Sequence, residues 1–508
     1  MSVLVAAVFM IGLVCCGEQL LAQSSTTTEA PDFDPLSQTR IVKPYQYRPF
    51  DAKFWQNIED ALNDEEQIQD GISMAQKRIE RSPKGSAGEG EAWLALGRVL
   101  SRIGFPVASS NVFKRIAIEF AGQDAGEYAI YQLDLLARDN LVDPSEIESL
   151  VVSFDFYNLH PEVQSFASYY RSLHHLRNKL NEWFVEEQKL LAPKSFWRQQ
   201  WDFDVLIQNV SKNRIETPVP TLTKIIESTE TPKQIRQKAI LQRARVYFEE
   251  GEFQKAFADY ESLTGLPLRE QGRIFLEMAW CKFYLKDFSK ALGLLAVLKI
   301  NVHRPSIHPE RYILEALIYR QLCHYPSVGK VFDQFDKAFG KALTAIHQRK
   351  QAGSSMVLAR MALMNPKFQK IANLVFQMRE ESQQMKRLSL KDRYKKTFLD
   401  YYESKDEELL HRQELMLEEE ARQAALELLD AEEQMVFLNY SAKIDSLRIV
   451  RVGEDRDYNS ENISKLTFDK YYWQVGTEHW RDELPDYKVL ISSRCNDSVE
   501  VPRSREKR

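Results

Sequence analysis

Four residue pairs, each 35 positions apart, constrain this chain more than any other feature. Laying residues 240–265 on 275–300 superposes Ala244 on Ala279, Phe248 on Phe283, Phe253 on Phe288, and Ala256 on Ala291. The residue types explain the spacing. Ala244 and Ala256 are small enough for two antiparallel helices to touch closely. Gly251 releases the chain at the end of the first helix, where a residue without Cβ costs least. Phe253 and Tyr260 fill the space between one helix pair and the next. A fixed period of this length means stacked helix pairs rather than a sheet.

The pattern recurs elsewhere. In EAWLALGRVLSRIGFPVASSNVF, residues Trp93, Leu96, Gly97, Leu100, Gly104 and Phe113 fall on one register, with Ser109 at a position that prefers Ala. A further copy runs through Ala316, Tyr319, Tyr325 and Phe332, with Val328 at the second small position and a short loop insertion before it. Residues 127–138 read as the first helix of a degenerate repeat. Together these positions resemble the tetratricopeptide repeat. That resemblance implies an all-α solenoid whose first helices line a groove for peptide or protein partners. Composition agrees: Gly and Pro number only 19 each in 508 residues, against a combined roughly 12% in average chains. A sandwich, barrel or propeller would need more turn-formers.

Between 140 and 235 the repeat is lost, while helical patterning persists. Val163, Phe166, Tyr170, Leu173, Leu176 and Leu180 share one face. His174 and His175 point about 100° apart on that helix and do not converge on a metal.

After residue 366 the period changes to heptads. Leu417, Ala421, Ala424, Leu428, Ala431, Met435, Leu438 and Ala442 follow strict 4,3 spacing. Ile371, Leu374, Met378, Met385 and Leu388 follow it upstream, with Glu381 interrupting. A long antiparallel helical hairpin is the simplest reading. The alternative is a homo-oligomer that pairs the heptads of two chains. The acidic run Glu418-Glu419-Glu420 reads as a solvated face.

The last segment is dense in aromatics: Trp473, Trp480 and Tyr487 are the candidates for an anchor on the hairpin or a carbohydrate platform. Val489 to Ser492 reads as one short strand or extended piece. The phrase YYWQ…EHWRDELPDYKV…C resembles the exported tetratricopeptide-repeat proteins of predatory and gliding Gram-negative bacteria, some of which belong to gliding-motility machinery. The resemblance covers residues 240–340 and 471–495, and implies a cell-envelope location.

At the other end, Val3 to Val14 is an apolar run of 12 residues, short of the roughly 20 that span a bilayer. It reads as a signal peptide cleaved after Ala22, although no Lys or Arg precedes Arg40. Cys15 and Cys16 make lipidation the rival reading, which would give an outer-membrane lipoprotein. Nothing later reads as transmembrane.

The expected organisation is therefore a signal at 1–22, a linker at 23–45, an N-terminal helical-repeat region at 46–235, tetratricopeptide repeats at 236–365, the hairpin at 366–450, and a C-terminal cap segment and tail at 451–508. Net charge is −5, with no basic field for nucleic acid. No GxxxxGK[ST], GxGxxG, HExxH or GxSxG motif occurs, so no cofactor and no metal are expected. Cys281 reads as a buried thiol in a first helix. Cys323 and Cys495 are left to bridge each other or a partner.

The function expected is a non-enzymatic scaffold of the periplasm. Its groove candidates, at non-packing positions of first helices, are Arg243, Tyr247, Lys282, Arg320 and Gln321. One alternative is a peptidoglycan-binding wall protein that uses the C-terminal aromatics. Another is a lytic transglycosylase-like enzyme; for this, Glu381-Ser382 lies in a heptad helix and lacks the Gly-Leu-Met-Gln-type segment that should follow.

Overall fold

The computed structural model describes residues 44–64, 66–154, 156, 158–211, 218–263, 266, 268–300, 308–450 and 488–495. Among them the chain is all-helical, with no strand. Residues 489–492 lie outside any helix or strand. The signal segment, Cys15, Cys16, Trp473, Trp480 and Tyr487 lie outside the described residues.

The helices are α1 (Ala52–Asn63), α2 (Ile68–Arg81), α3 (Ala87–Arg102), α4 (Pro106–Glu119), α5 (Asp124–Arg138), α6 (Pro144–Ser153), α7 (Pro161–Arg177), α8 (Asn181–Lys189), α9 (Phe196–Ser211) and α10 (Val219–Glu227). They continue with α11 (Lys233–Glu249), α12 (Phe253–Ser262), α13 (Leu268–Tyr284), α14 (Phe288–Val297), α15 (Glu310–Gln321), α16 (Tyr325–His347), α17 (Met356–Ala362), α18 (Pro366–Met385) and α19 (Asp392–Val450). The chain divides into two compact units, residues 1–239 with 370–413, and 240–369 with 414–508.

The first unit is built around α3 and α4. Gly97 of α3 lies so close to Phe113 of α4 that a Cβ there would sit 2.6 Å from the ring, which explains the glycine at that register. Ser86 and Asp143 cap α3 and α6 by accepting the Glu89 and Ser145 backbone N–H groups. Val375, Met378 and Met385 of α18 and Tyr394, Phe398 and Tyr402 of α19 belong to the same core as Trp93 and Phe113. Arg379 pairs with Asp406, and Tyr402 with Glu381, so α18 and the adjoining stretch of α19 run antiparallel.

Glu381, the residue that interrupts the heptads, is buried. Its carboxylate accepts the Val107 N–H at 2.9 Å and the Ala108 N–H at 3.0 Å, at the N-terminus of α4. Tyr402 Oη donates to it at 2.9 Å and Gln377 Nε2 at 3.3 Å. It replaces the cap that Phe105 cannot provide.

The second unit holds the 35-residue repeat. Ala244, Ala256, Ala279, Ala291, Ala316 and Val328, the small positions of three consecutive helix pairs, are all fully buried. The turn inside each pair also repeats. Gly251, Lys286 and Cys323 have φ of 81°, 60° and 61°. The next residue's N–H reaches back five positions: Glu252 to Tyr247 O, Asp287 to Lys282 O and His324 to Tyr319 O. This is the Schellman helix ending. Gly104 makes the same turn in the first unit, with φ 87° and the Phe105 N–H on Leu100 O.

Residues 366–450 thus do not form a body of their own. The heptad positions Ala421, Ala424, Leu428, Ala431, Met435, Leu438 and Ala442 are buried with Tyr312, Val331, Phe335, Phe339 and Leu358 of α15–α17. Alanine suits this seam because it lets α19 lie close against larger side chains.

Candidate partner-binding surface

The first helices of the three repeats, α11, α13 and α15, carry every groove candidate. Arg243 is not at a free position: Nε and Nη2 each lie 2.8 Å from the Asp259 carboxylate of α12. Tyr247 lies beside it, with the Arg243 guanidinium 5.8 Å and the Lys255 ammonium 5.6 Å from its ring centre. The Lys282 ammonium is 3.8 Å from the Phe257 ring centre. Arg320 pairs with Asp445 of α19 at 3.2 Å. Gln321 is exposed. The expectation of non-packing positions is therefore corrected for Arg243, Lys282 and Arg320, each of which is held within its own unit. The structure brings Arg243, Tyr247 and Lys282 together around α12. It leaves Arg320 and Gln321 apart, at the far end of α15.

A second set of groups, not identified from sequence, converges on α13. Glu277 is buried between two guanidiniums: Arg245 Nη2 and Nε at 2.8 and 3.2 Å, and Arg273 Nε at 3.1 Å. Burial pushes its pKa up, but the two cations overcome this and hold it below the ordinary value. Next along lie His308, 3.5 Å from Glu310, and Trp280, whose indole acts on the Glu310 carboxyl. Burial raises Glu310 to about 7, against the pull of the Trp280 N–H, which lowers it. Burial and the Arg273 charge lower His308 to about 4. Glu427 of α19 faces Arg273 and is raised by burial. At neutral pH the patch therefore offers an uncharged imidazole and a half-protonated carboxyl beside a fixed ion triad. Such a surface can both donate and accept hydrogen bonds. The i,i+4 pair Arg273 and Glu277 was readable; the Arg245 and Glu310 partners were not.

The C-terminal residues 488–495 run along the repeat turns. The Val489 N–H donates to Ser289 O at 3.0 Å, and Ser289 Oγ to Val489 O at 2.6 Å. The Arg494 N–H reaches Leu322 O at 2.9 Å, and His324 Nε2 lies 2.7 Å from Ser492 O. Cys323 and Cys495 form a disulfide with Cα atoms 5.1 Å apart, so these two bridge each other. Cys281 is buried and free, its thiol raised to about 12 by burial.

Among the described residues no group of His, Cys, Asp and Glu is arranged to hold a metal ion. No helix there is long and apolar enough to cross a membrane. No family model, curated protein or solved structure matches the chain.

Proposed function

We propose that the chain is a non-enzymatic protein-binding scaffold of an oxidising compartment, the periplasm of a Gram-negative envelope. In this reading α11–α16 are three tetratricopeptide-like repeats, α18 and the start of α19 a coiled hairpin, and the α13 patch the surface that takes a partner segment. One observation carries the proposal. The same Schellman turn recurs at Gly251, Lys286 and Cys323, with fully buried small residues at matching positions on both sides. Repetition of a unit that cannot bury its own faces alone builds an extended surface, and such surfaces hold proteins. The Cys323–Cys495 bond supports the compartment, because cytosolic thiols are kept reduced.

A photoactivatable residue at Tyr247 or Gln321, crosslinked in the native envelope, tests this. The expected result is a discrete adduct with one protein, lost on competition with unlabelled chain. Retention on purified peptidoglycan that depends on Trp473 and Trp480, with no protein adduct, would replace the scaffold with the cell-wall reading.

A further inference from the structure

The C-terminal half of α19 is apolar on two opposite sides. One side, Ala421 to Ala442, is buried against α15–α17. On the other side Leu415, Leu426 and Phe437 recur every 11 residues, a spacing that returns to within about 20° on a helix of 3.6 residues per turn. Their exposures are 61%, 58% and 63%. Val436, Tyr440 and Leu447 widen the stripe, at 51%, 65% and 66%. A helix on the surface of a monomer needs one apolar face, not two.

Six such side chains expose roughly 700 Å² in total along about 48 Å of helix, close to the ~800 Å² each partner buries in a standard interface. The stripe is also self-complementary. In an antiparallel pair centred on Ala431, Leu415 falls opposite Leu447, Leu426 opposite Val436, and Glu419 opposite Lys443, and each pairing occurs twice, as a two-fold interface requires. We propose that a second copy of this chain docks on the exposed stripe of α19, forming an antiparallel helix dimer. Near the two-fold, Asp430 falls opposite Glu432 of the other copy, and this like-charge pairing, made twice, keeps the association reversible. The dimer uses the side opposite the heptads, which are already filled within the chain.

Sedimentation equilibrium of the full chain over the micromolar range tests this. The weight-average mass is expected to climb from 59.2 kDa toward twice that value. The double variant Leu426→Glu with Phe437→Glu is expected to stay at the monomer mass with unchanged helical circular dichroism. Met356→Glu, which alters a side chain 71% exposed in the same unit but off the stripe, is expected to dimerise like the wild type. A monomer at every concentration overturns the proposal, and so does a dimer indifferent to the double variant. A monomer whose Phe437 and Tyr440 side chains are shielded from hydroxyl-radical labelling also overturns it, in favour of cover by residues 451–487 of the same chain.

Discussion

Replacing Glu381 with alanine removes the carboxylate that caps the N-terminus of α4. The Val107 and Ala108 N–H groups and the Tyr402 hydroxyl, now held at 2.9–3.0 Å, lose their acceptor in a buried site. Each orphaned donor costs ~1–3 kcal/mol. The carboxylate itself is disfavoured by burial, which raises its pKa against the pull of those donors. Taking the low end for each donor leaves a net loss of about 3 kcal/mol. Glu381→Gln keeps one acceptor oxygen but turns an amide NH₂ toward a backbone N–H, and should cost about 1–2 kcal/mol.

Urea unfolding gives the totals, and hydrogen exchange at Val107 and Ala108 localises them. The pH dependence has a definite sign. Because the folded carboxyl sits above its ordinary value, the folded state binds the proton more tightly than the unfolded one. The wild type therefore loses stability as pH rises above the ordinary glutamate range, and the glutamine variant does not. The gap between them narrows with rising pH. Unchanged exchange at Val107 and Ala108 in Glu381→Ala, with a stability loss under about 0.5 kcal/mol, would refute the capping argument.

Three further outcomes are expected. Gly97→Ala forces a methyl against Phe113 and should lower stability by about 1–3 kcal/mol, read by thermal unfolding; a neutral result would mean α3 and α4 can separate freely. Cys323→Ser should accelerate amide exchange at Val489 and Arg494 by about tenfold or more, since residues 488–495 then rest on hydrogen bonds alone; unchanged exchange would show the disulfide is incidental. Glu310, raised to about 7, binds its proton more tightly in the folded state. Its contribution is full below the ordinary glutamate range and fades through about pH 7, a change on the order of 3 kcal/mol. Urea unfolding at pH 5 and pH 8 should therefore differ for the wild type and differ less for Glu310→Gln.

The repeat was legible because its signal is steric. Ala244, Ala279 and Ala316 must be small wherever two helices cross, so the period shows in the residue types. The turn was legible at Gly104 and Gly251, where the residue advertises its backbone. It was silent at Lys286 and Cys323, which hold the same left-handed conformation although neither residue type advertises it. Glu381 was read as a break in the heptads, since a pattern of apolar spacing has no way to represent a carboxylate aimed at another helix. The heptads themselves said that one face of α19 is buried. They did not say against what.

The site shows the same limit more sharply. Helical spacing put Arg243, Lys282 and Arg320 on first helices, but spacing describes a face and not what answers it. Arg243 meets Asp259, 16 residues on; Arg245 meets Glu277, 32 on; Arg320 meets Asp445, 125 on. No common period links these separations, so no periodic argument finds them. These pairs also decide which groups are left for a partner. A cation with a bidentate carboxylate at 2.8 Å gains little from a second anion, because its hydrogen-bonding edge is already used. Specificity should therefore come from groups whose charge is still adjustable. On α13 and its neighbours those are Glu310, balanced near neutrality, and His308, kept uncharged beside Arg273. A partner that brings a cation to Glu310 would ionise it on binding and release a proton. Partner affinity should then rise with pH through about 7, and a flat profile would place the contact elsewhere on the repeats.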